Sequence, residues 1–163
     1  MFEKINRFIA AGFGLGFIPV APGTFGTLLG VAIFYVLRSP QSTYLITSMM
    51  FIKVTVGITL VSFVIAHLAE KSFKQKDAQQ IVIDEVAGVL CTYAFVSFSV
   101  FNLVLGFLLF RLFDIAKIFP ANLAQDKLKG GLGVVGDDVV AGLQAGVILY
   151  YLPWIIEKVK VFL

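Results

Sequence analysis

The chain has 163 residues, of which 59% are hydrophobic and only 14% are charged; its mean hydropathy is +0.95. Soluble proteins contain roughly 45–50% apolar and about 25% charged residues, so a soluble domain, a disordered chain and a disulfide scaffold are excluded. The composition predicts a single integral membrane domain over residues 1–163. The net charge of +3 is too small to predict binding of nucleic acid, and no feature of the sequence predicts an oligomeric state.

The apolar segments predict an all-α fold, a polytopic helical membrane protein with about five apolar helices. Residues 1–17 are predicted to form an amphipathic or re-entrant helix that precedes them at the membrane surface. A bilayer core of about 30 Å needs about 20 helical residues, so the first, third and fifth segments are short for a full crossing. No internal repeat is evident. The five segments are residues 24–37, 44–68, 81–96, 98–119 and 137–152.

Basic residues in the loops predict the orientation, because cytoplasmic loops carry an excess of Lys and Arg. With five spans, the N-terminus and the second and fourth loops lie on the same side of the membrane. That side has the larger number of basic residues and is predicted to be cytoplasmic. Its basic residues are Lys4, Arg7, Lys71, Lys74, Lys76, Lys117, Lys127 and Lys129, against Arg38, Lys158 and Lys160 on the other side.

Five carboxylates lie inside or at the ends of the predicted spans. Acidic residues at membrane depth are costly and usually functional. In the predicted topology all five lie at the cytoplasmic ends of three helices, where they would repel one another if unpaired. A hard divalent cation is the simplest neutraliser, and Mg²⁺ prefers carboxylate oxygens and water. The predicted Mg²⁺ ligands are Asp84, Glu85, Asp114, Asp137 and Asp138.

A purely structural interpretation explains part of this pattern. Acidic residues at a helix N-terminus interact favourably with the helix macrodipole, which accounts for the pair that opens the fifth span and partly for the pair that begins the third. It does not account for Asp114, which lies near the C-terminus of the fourth span. Asp114 could instead pair with Arg111 or Lys117, each three residues away on the same helix face.

Two glycine-rich segments precede the first and the fifth spans. In GLGFIPVAPGTFGT, residues 14–27, Thr24 is predicted to cap the first span; the amides at such a helix start can hold a phosphate. A plain loop is the alternative interpretation. Residues 129–136 place four glycines directly before the paired aspartates, where the backbone can approach a ligand closely. Neither segment is a Walker A or a GxGxxG motif.

The sequence contains no motif for a Ser, Cys or His nucleophile, since it has one histidine and neither Gly-x-Ser-x-Gly nor Cys-x₅-Arg. Carboxylates, cations and a metal are typical of metal-assisted hydrolysis or transfer at phosphorus. An ion or proton transporter is the main alternative, since intramembrane carboxylates also mark ion pathways. A non-catalytic membrane subunit is a third interpretation. The position of the carboxylates at one end, without an inverted repeat, favours phosphorus chemistry.

Three blocks, in order along the chain, resemble the phosphatidylglycerophosphatase A family. They are residues 14–27, then IVIDEVAG at 81–88 with FRLFDIAK at 110–117, and then the segment 130–142 with its paired aspartates. The chain departs from the family pattern at Ile118, where the family usually has proline, at Val135, where it often has methionine, and at Thr27, where serine is commoner. None of these departures removes a charged group.

The resemblance implies a multi-pass, Mg²⁺-dependent phosphatase of the bacterial inner membrane. Its substrate would be phosphatidylglycerophosphate, hydrolysed at the cytoplasmic face to phosphatidylglycerol and phosphate. We expect attack by water, with Glu85 as the general base; an Asp nucleophile is the alternative. Arg111 either balances charge on the phosphate or only holds Asp114. The expected catalytic residues are Glu85, Asp84, Asp114, Lys117 and Arg111, and the expected phosphate-binding residues are Thr24, Gly23, Lys117 and Lys129.

Overall fold

The computed structural model describes residues 1–40, 47–75 and 77–162, with backbone alone for residues 125, 126 and 160–162. These described parts of the chain form helices joined by turns and contain no strand, so the all-α prediction is confirmed. A short 3₁₀ helix, Leu15–Phe17, follows the first helix. The α-helices are α1 (Phe2–Ala10), α2 (Pro22–Arg38), α3 (Ser48–Phe73), α4 (Ile83–Tyr93), α5 (Val100–Ala116), α6 (Ala121–Lys127) and α7 (Gly131–Phe162).

Two helices in the described ranges are long and apolar enough to cross a bilayer, α3 and the Gly131–Val159 part of α7. The predicted number of about five crossings is not confirmed. Helix α4 has only 11 residues, about 16 Å of helix against a hydrocarbon core of about 30 Å. The first residues of the predicted second span, 44–46, and Lys76 of the basic set lie outside the described residues.

The start of α7 corrects the predicted fifth span. We expected Asp137 and Asp138 to open a helix after a glycine loop, but the helix begins at Gly131. Packing explains the difference: a Cβ on Gly131 would overlap the carbonyl oxygen of Phe63 and lie 2.7 Å from the His67 amide nitrogen. The glycine therefore lets α7 lie directly against α3, and this contact outweighs the low helix propensity of glycine.

Helix α4 is the centre of the fold and contacts α2, α3, α5 and α7. It lies beside α7 with both N-termini at the same end of the molecule. Their backbones touch, since a Cβ on Gly142 would overlap the carbonyl oxygen of Gly88. One turn further on, the Thr92 hydroxyl donates to the Gly142 carbonyl at 3.1 Å. Because Asp84 and Asp138 each lie four residues before these glycines, this register places them on the facing sides of the two helices.

Aromatic side chains hold the opposite end of the bundle together. The Phe34 ring of α2 stacks on Tyr93 of α4 with centroids 4.2 Å apart, and it meets Phe51 of α3 edge-on at 5.4 Å. The Tyr93 hydroxyl donates to the Leu103 carbonyl of α5 at 2.7 Å. Four helices thus converge on one buried pair of rings, which fixes the angle at which their other ends meet.

Helix α1 packs on α3 through its polar side. Asn6 donates to the Ile65 carbonyl at 3.3 Å, and Arg7 bonds the Ser72 hydroxyl at 2.6 Å. The opposite face presents Phe2, Ile5 and other apolar side chains to the outside. The structure therefore has an amphipathic helix within residues 1–17, and it turns its apolar side away from the protein.

Candidate active site

The ends of four helices enclose an acidic cavity of about 320 Å³. The N-termini of α2, α4 and α7 and the C-terminus of α5 border it, together with the segment between α3 and α4. Among the described residues that line it, carboxylates outnumber cations. The carboxylates are Asp77, Asp84, Glu85, Asp114, Asp137 and Asp138, and the cations are Arg111 and Lys117.

Three of these carboxylates converge on one point. One oxygen each from Asp84, Glu85 and Asp138 lies within 4.8 Å of the other two. Asp84 and Asp138 are buried and Glu85 is half-buried. Glu85 Oε2 and Asp138 Oδ2 are buried without a hydrogen-bond partner. Unpaired buried carboxylates are unfavourable, and a hard divalent cation would satisfy several oxygens at once. The donor set therefore fits such an ion.

The other two predicted ligands are paired with cations. Arg111 Nη1 donates to Asp114 Oδ2 at 2.5 Å, and Lys117 donates to Asp137 Oδ2. Lys117 Nζ also lies 4.0 Å from Asp114 Oδ1. The pairing of Asp114 with Arg111, expected as an alternative to metal binding, is thus present. The five carboxylates divide into an unpaired group of three and an ion-paired group of two.

Lys117 lies directly after the end of α5, in a left-handed backbone conformation with φ of 46°. Burial alone lowers the pKa of its ammonium group. The hydrogen bond to Asp137 and the charges of the neighbouring aspartates outweigh that effect, so the pKa lies above its ordinary value. We therefore expect Lys117 to remain protonated at the cavity wall.

Close packing places the start of α2 against the acidic group. A Cβ on Gly23 would overlap Glu85 Oε1 and lie 3.4 Å from Arg111 Nη1, so a larger residue here would displace the Glu85 carboxylate. One turn later the buried Thr27 hydroxyl donates to the Gly23 carbonyl at 2.8 Å and accepts from Arg111 Nη1 at 3.4 Å. Thr27 was not among the expected site residues, although it belongs to the block 14–27.

Two predicted phosphate-binding residues do not reach the cavity. The prediction that Thr24 caps the first span is wrong, because α2 begins at Pro22 and its N-cap is Ala21. The Thr24 amide donates to the Ala21 carbonyl at 2.9 Å, so it is already paired within the helix start. Lys129 is exposed and lines a separate depression beside Lys71 and other surface residues.

Two features of the site are not among the predicted residues and patterns. Asp77 lines the cavity from the segment between α3 and α4. It was not predicted, because it lies in a loop and only carboxylates inside or at the ends of the predicted spans were considered. The second feature is a repeated pattern, Asp-x-Val-Ala-Gly, at 84–88; residues 138–142 read Asp-Val-Val-Ala-Gly. This short motif lies on the two helices that pack in register, at the same position relative to their contact at Gly88 and Gly142.

The fold and the cavity define a helical protein with two apolar helices long enough to cross a bilayer and, at one end of the bundle, an acidic site that could hold a cation. Arg111 and Lys117 beside the acidic group could bind an anionic substrate. Such a combination is typical of enzymes that act on phosphate groups.

Comparisons with known proteins identify the family. Residues 8–153 match the family described as Phosphatidylglycerophosphatase A. Phosphatidylglycerophosphatase A of Haemophilus influenzae is 32% identical over 151 residues, which cover 90% of this chain and 87% of that protein. Phosphatidylglycerophosphatase A of Escherichia coli is 31% identical over 145 residues, which cover 88% of this chain and 81% of that protein. A Bacteroides thetaiotaomicron protein named "Putative phosphatidylinositol-3-phosphatase" is 33% identical over 156 residues, which cover 91% of this chain and 93% of that protein.

The chain belongs to the phosphatidylglycerophosphatase A family and is a phosphatase. The resemblance drawn from the three sequence blocks is thereby confirmed. No solved structure matches this chain.

Proposed function

We propose that this protein hydrolyses the phosphomonoester of phosphatidylglycerophosphate and gives phosphatidylglycerol and phosphate. The observation that carries the proposal is the convergence of Asp84, Glu85 and Asp138 beside two cations in one cavity. The named activity of the Haemophilus and Escherichia relatives supplies the substrate. The Bacteroides relative is named for another lipid phosphomonoester, which supports a site that recognises the phosphate rather than the whole headgroup.

Asp84, Glu85 and Asp138 would hold Mg²⁺, with Asp114 and Asp137 adding negative charge nearby. When bound, the ion polarises phosphoryl oxygens and lowers the pKa of a water. Glu85 is the proposed general base: one of its carboxylate oxygens binds the ion, and the other accepts the proton of the attacking water. With no nucleophile motif in the sequence, direct attack by water is favoured over a covalent intermediate.

Arg111 and Lys117 bind the phosphate oxygens and balance their charge. Both of the Arg111 contacts, to Asp114 and to Thr27, use Nη1, and a guanidinium has five N–H donors in a planar fork. Asp114 and Asp137 orient the two cations through their ion pairs. Arg111 thus serves in both of the roles considered for it, as a partner of Asp114 and as a phosphate ligand.

We further propose that the bundle is embedded in the bacterial inner membrane as one multi-pass domain, with its N-terminus and the cavity on the cytoplasmic side. Exposed lysines at the cavity end support this orientation, because Lys71, Lys74, Lys127 and Lys129 all lie near that end. The carboxylates meet at that same end, where a lipid phosphate lies, rather than along the bundle as an ion pathway requires. The transporter alternative therefore has less support.

The test is phosphate release from phosphatidylglycerophosphate by purified protein in detergent, with Mg²⁺ and then with EDTA. We expect release to require Mg²⁺. Asp138→Asn should lower it by about a hundredfold or more, the scale on which enzymes lose rate when a charge-stabilising group is removed. Glu157→Gln is the matched control, because Glu157 lies exposed on the same helix far from the cavity. No release by folded wild-type protein would refute the proposal.

A further inference from the structure

An exposed apolar seam runs between α2 and α5 and leads away from the cavity. The seam residues on α5 are at positions 104, 108 and 115. They lie on the same helix face as Arg111, because the four positions follow an i, i+4, i+7, i+11 spacing. On α2 the two seam residues lie two turns apart on one face. The seam consists of Leu28, Tyr35, Val104, Leu108 and Ile115, all exposed.

The two helices that form the seam touch at its cavity end, where Arg111 Nη1 lies 3.4 Å from Thr27 Oγ1. At the far end the Tyr35 ring meets Phe98, two residues before the start of α5, edge-on with centroids 5.7 Å apart. Core residues such as Val31 lie behind the seam and are buried. The seam is therefore an exposed apolar strip that lies over the buried core.

The seam is continuous with the cavity. Ile115 lines the cavity and is also 70% exposed, so the apolar strip meets the cavity at this side chain. From Ile115 to Val104 the helix rises about 16 Å, close to half of a hydrocarbon core of about 30 Å. The α5 side of the seam thus has the length of one bilayer leaflet.

The cavity itself is too small and too polar for a whole lipid. Its volume of about 320 Å³ is at the low end of small-molecule pockets, about 300–1,000 Å³, and charged side chains form much of its wall. Fatty acyl chains must therefore lie outside it, on apolar surface that begins at its rim. Another apolar cavity, of about 330 Å³ between α4 and α7 near Cys91, shares no lining residue with the acidic cavity.

We propose that the α2–α5 seam binds the acyl chains of the lipid phosphomonoester whose phosphate occupies the acidic cavity. Arg111 lies at the junction, where the charged headgroup passes into the apolar tail. This inference rests on the proposed function and adds the route by which the substrate enters, sideways from the bilayer between α2 and α5. Seam residues then set the selectivity for a lipid over its water-soluble headgroup.

The first experiment fills the seam with the double variant Leu28→Trp/Leu108→Trp. The matched control, Leu60→Trp/Val64→Trp, carries the same two rings on exposed positions of α3. The measured quantity is the ratio of kcat/KM for phosphatidylglycerophosphate in mixed micelles to kcat/KM for its deacylated headgroup. We expect the seam variant to lower this ratio about tenfold or more, the loss of roughly two buried methylene contacts, and the control to keep the wild-type ratio.

A second measurement needs no variant. A phosphatidic acid with a photoreactive diazirine near the end of one acyl chain is irradiated with the wild-type protein, and the labelled peptides are mapped by mass spectrometry. We expect adducts on α2 and α5 that excess dioleoyl phosphatidic acid suppresses and phosphatidylcholine does not. Adducts concentrated at the Cys91 cavity or on α3, or equal labelling of all exposed helices, would refute acyl-chain binding at the seam.

The two proposals fail in different ways. Wild-type protein that releases phosphate from neither substrate refutes the proposed function itself. Active wild-type protein whose seam variant keeps the control's ratio refutes the seam alone. If the protein hydrolyses the lipid but not the deacylated headgroup at a measurable rate, the ratio cannot be formed. The crosslinking pattern then tests whether the seam binds the acyl chains.

Discussion

The backbone contact between α4 and α7 makes a sharp prediction at Gly142. In Gly142→Ala the new Cβ would overlap the Gly88 carbonyl oxygen and lie 2.8 Å from the Gly88 carbonyl carbon, whereas ordinary contact begins at 3.4 Å. Both partners are backbone atoms, so no side chain can rotate away. The two helices must separate by about 1 Å, at a cost of about 1–3 kcal/mol for overpacking a tight interface.

This displacement reaches the acidic group directly. Asp138 lies one turn before Gly142 on the same helix, while Asp84 and Glu85 lie on α4. Their oxygens are within 4.8 Å of one another, and a shift of about 1 Å in reacting groups can reduce a rate by about a hundredfold. We therefore expect Gly142→Ala to weaken Mg²⁺ binding and to lower phosphate release by about that factor. Calorimetric titration with Mg²⁺ and the phosphate-release assay measure the two effects.

Gly57→Ala is the matched control, because a Cβ at Gly57 on α3 meets nothing within 4 Å. At that site alanine should leave activity unchanged and add helix stability of about 1 kcal/mol. A folded Gly142→Ala protein with wild-type Mg²⁺ affinity and wild-type activity would show that the register of α4 and α7 does not hold the carboxylates together.

Two further predictions concern the charges of the cavity. Arg111→Lys should lower kcat/KM about tenfold or more in the phosphate-release assay. Arg111 holds Asp114 and Thr27 through Nη1 alone, and a lysine ammonium in those contacts lacks the further N–H donors that the guanidinium fork offers to the phosphate. Unchanged kinetics would show that Arg111 contributes only its charge. Mg²⁺ at about 100 times its Kd should stabilise the wild-type protein by about 2.7 kcal/mol, seen as a higher thermal midpoint, and Asp138→Asn should lose most of that shift. An equal shift in the variant would place the ion elsewhere.

Much of the fold could be predicted from sequence because it depends on local composition. The apolar segments indicate helices, and the predicted first span, 24–37, lies within α2 (Pro22–Arg38). The predicted start of the last helix, by contrast, was wrong by six residues. Gly131 and the glycines after it resemble a loop unless the backbone of α3 is known to lie against Gly131. A helix of 11 residues such as α4 also depends on its neighbours rather than on its own length.

The sequence predicted most of the charged residues that form the site, but it did not predict which carboxylates form ion pairs with the cations. Their chain positions placed five carboxylates at one end of the bundle, and the structure brings all five to one cavity. Which of them pair with cations depends on side-chain geometry across helices, as in the contact of Lys117 with Asp137. The i, i+3 contact of Arg111 with Asp114 was foreseeable, because it lies within one helix.

The excess of carboxylates over cations in the cavity has a consequence for how the enzyme meets its substrate. A phosphomonoester is an anion, and a cavity in which acids outnumber Arg111 and Lys117 repels it. In the proposed function a divalent ion at Asp84, Glu85 and Asp138 would offset part of this negative charge and offer the phosphate a positive charge directly, so that the fixed cations could then act on the phosphate. By linkage, the substrate must raise the affinity for the ion as much as the ion raises the affinity for the substrate. The ion-paired aspartates keep the two cations in place meanwhile, which explains why this site holds more carboxylates than one ion needs.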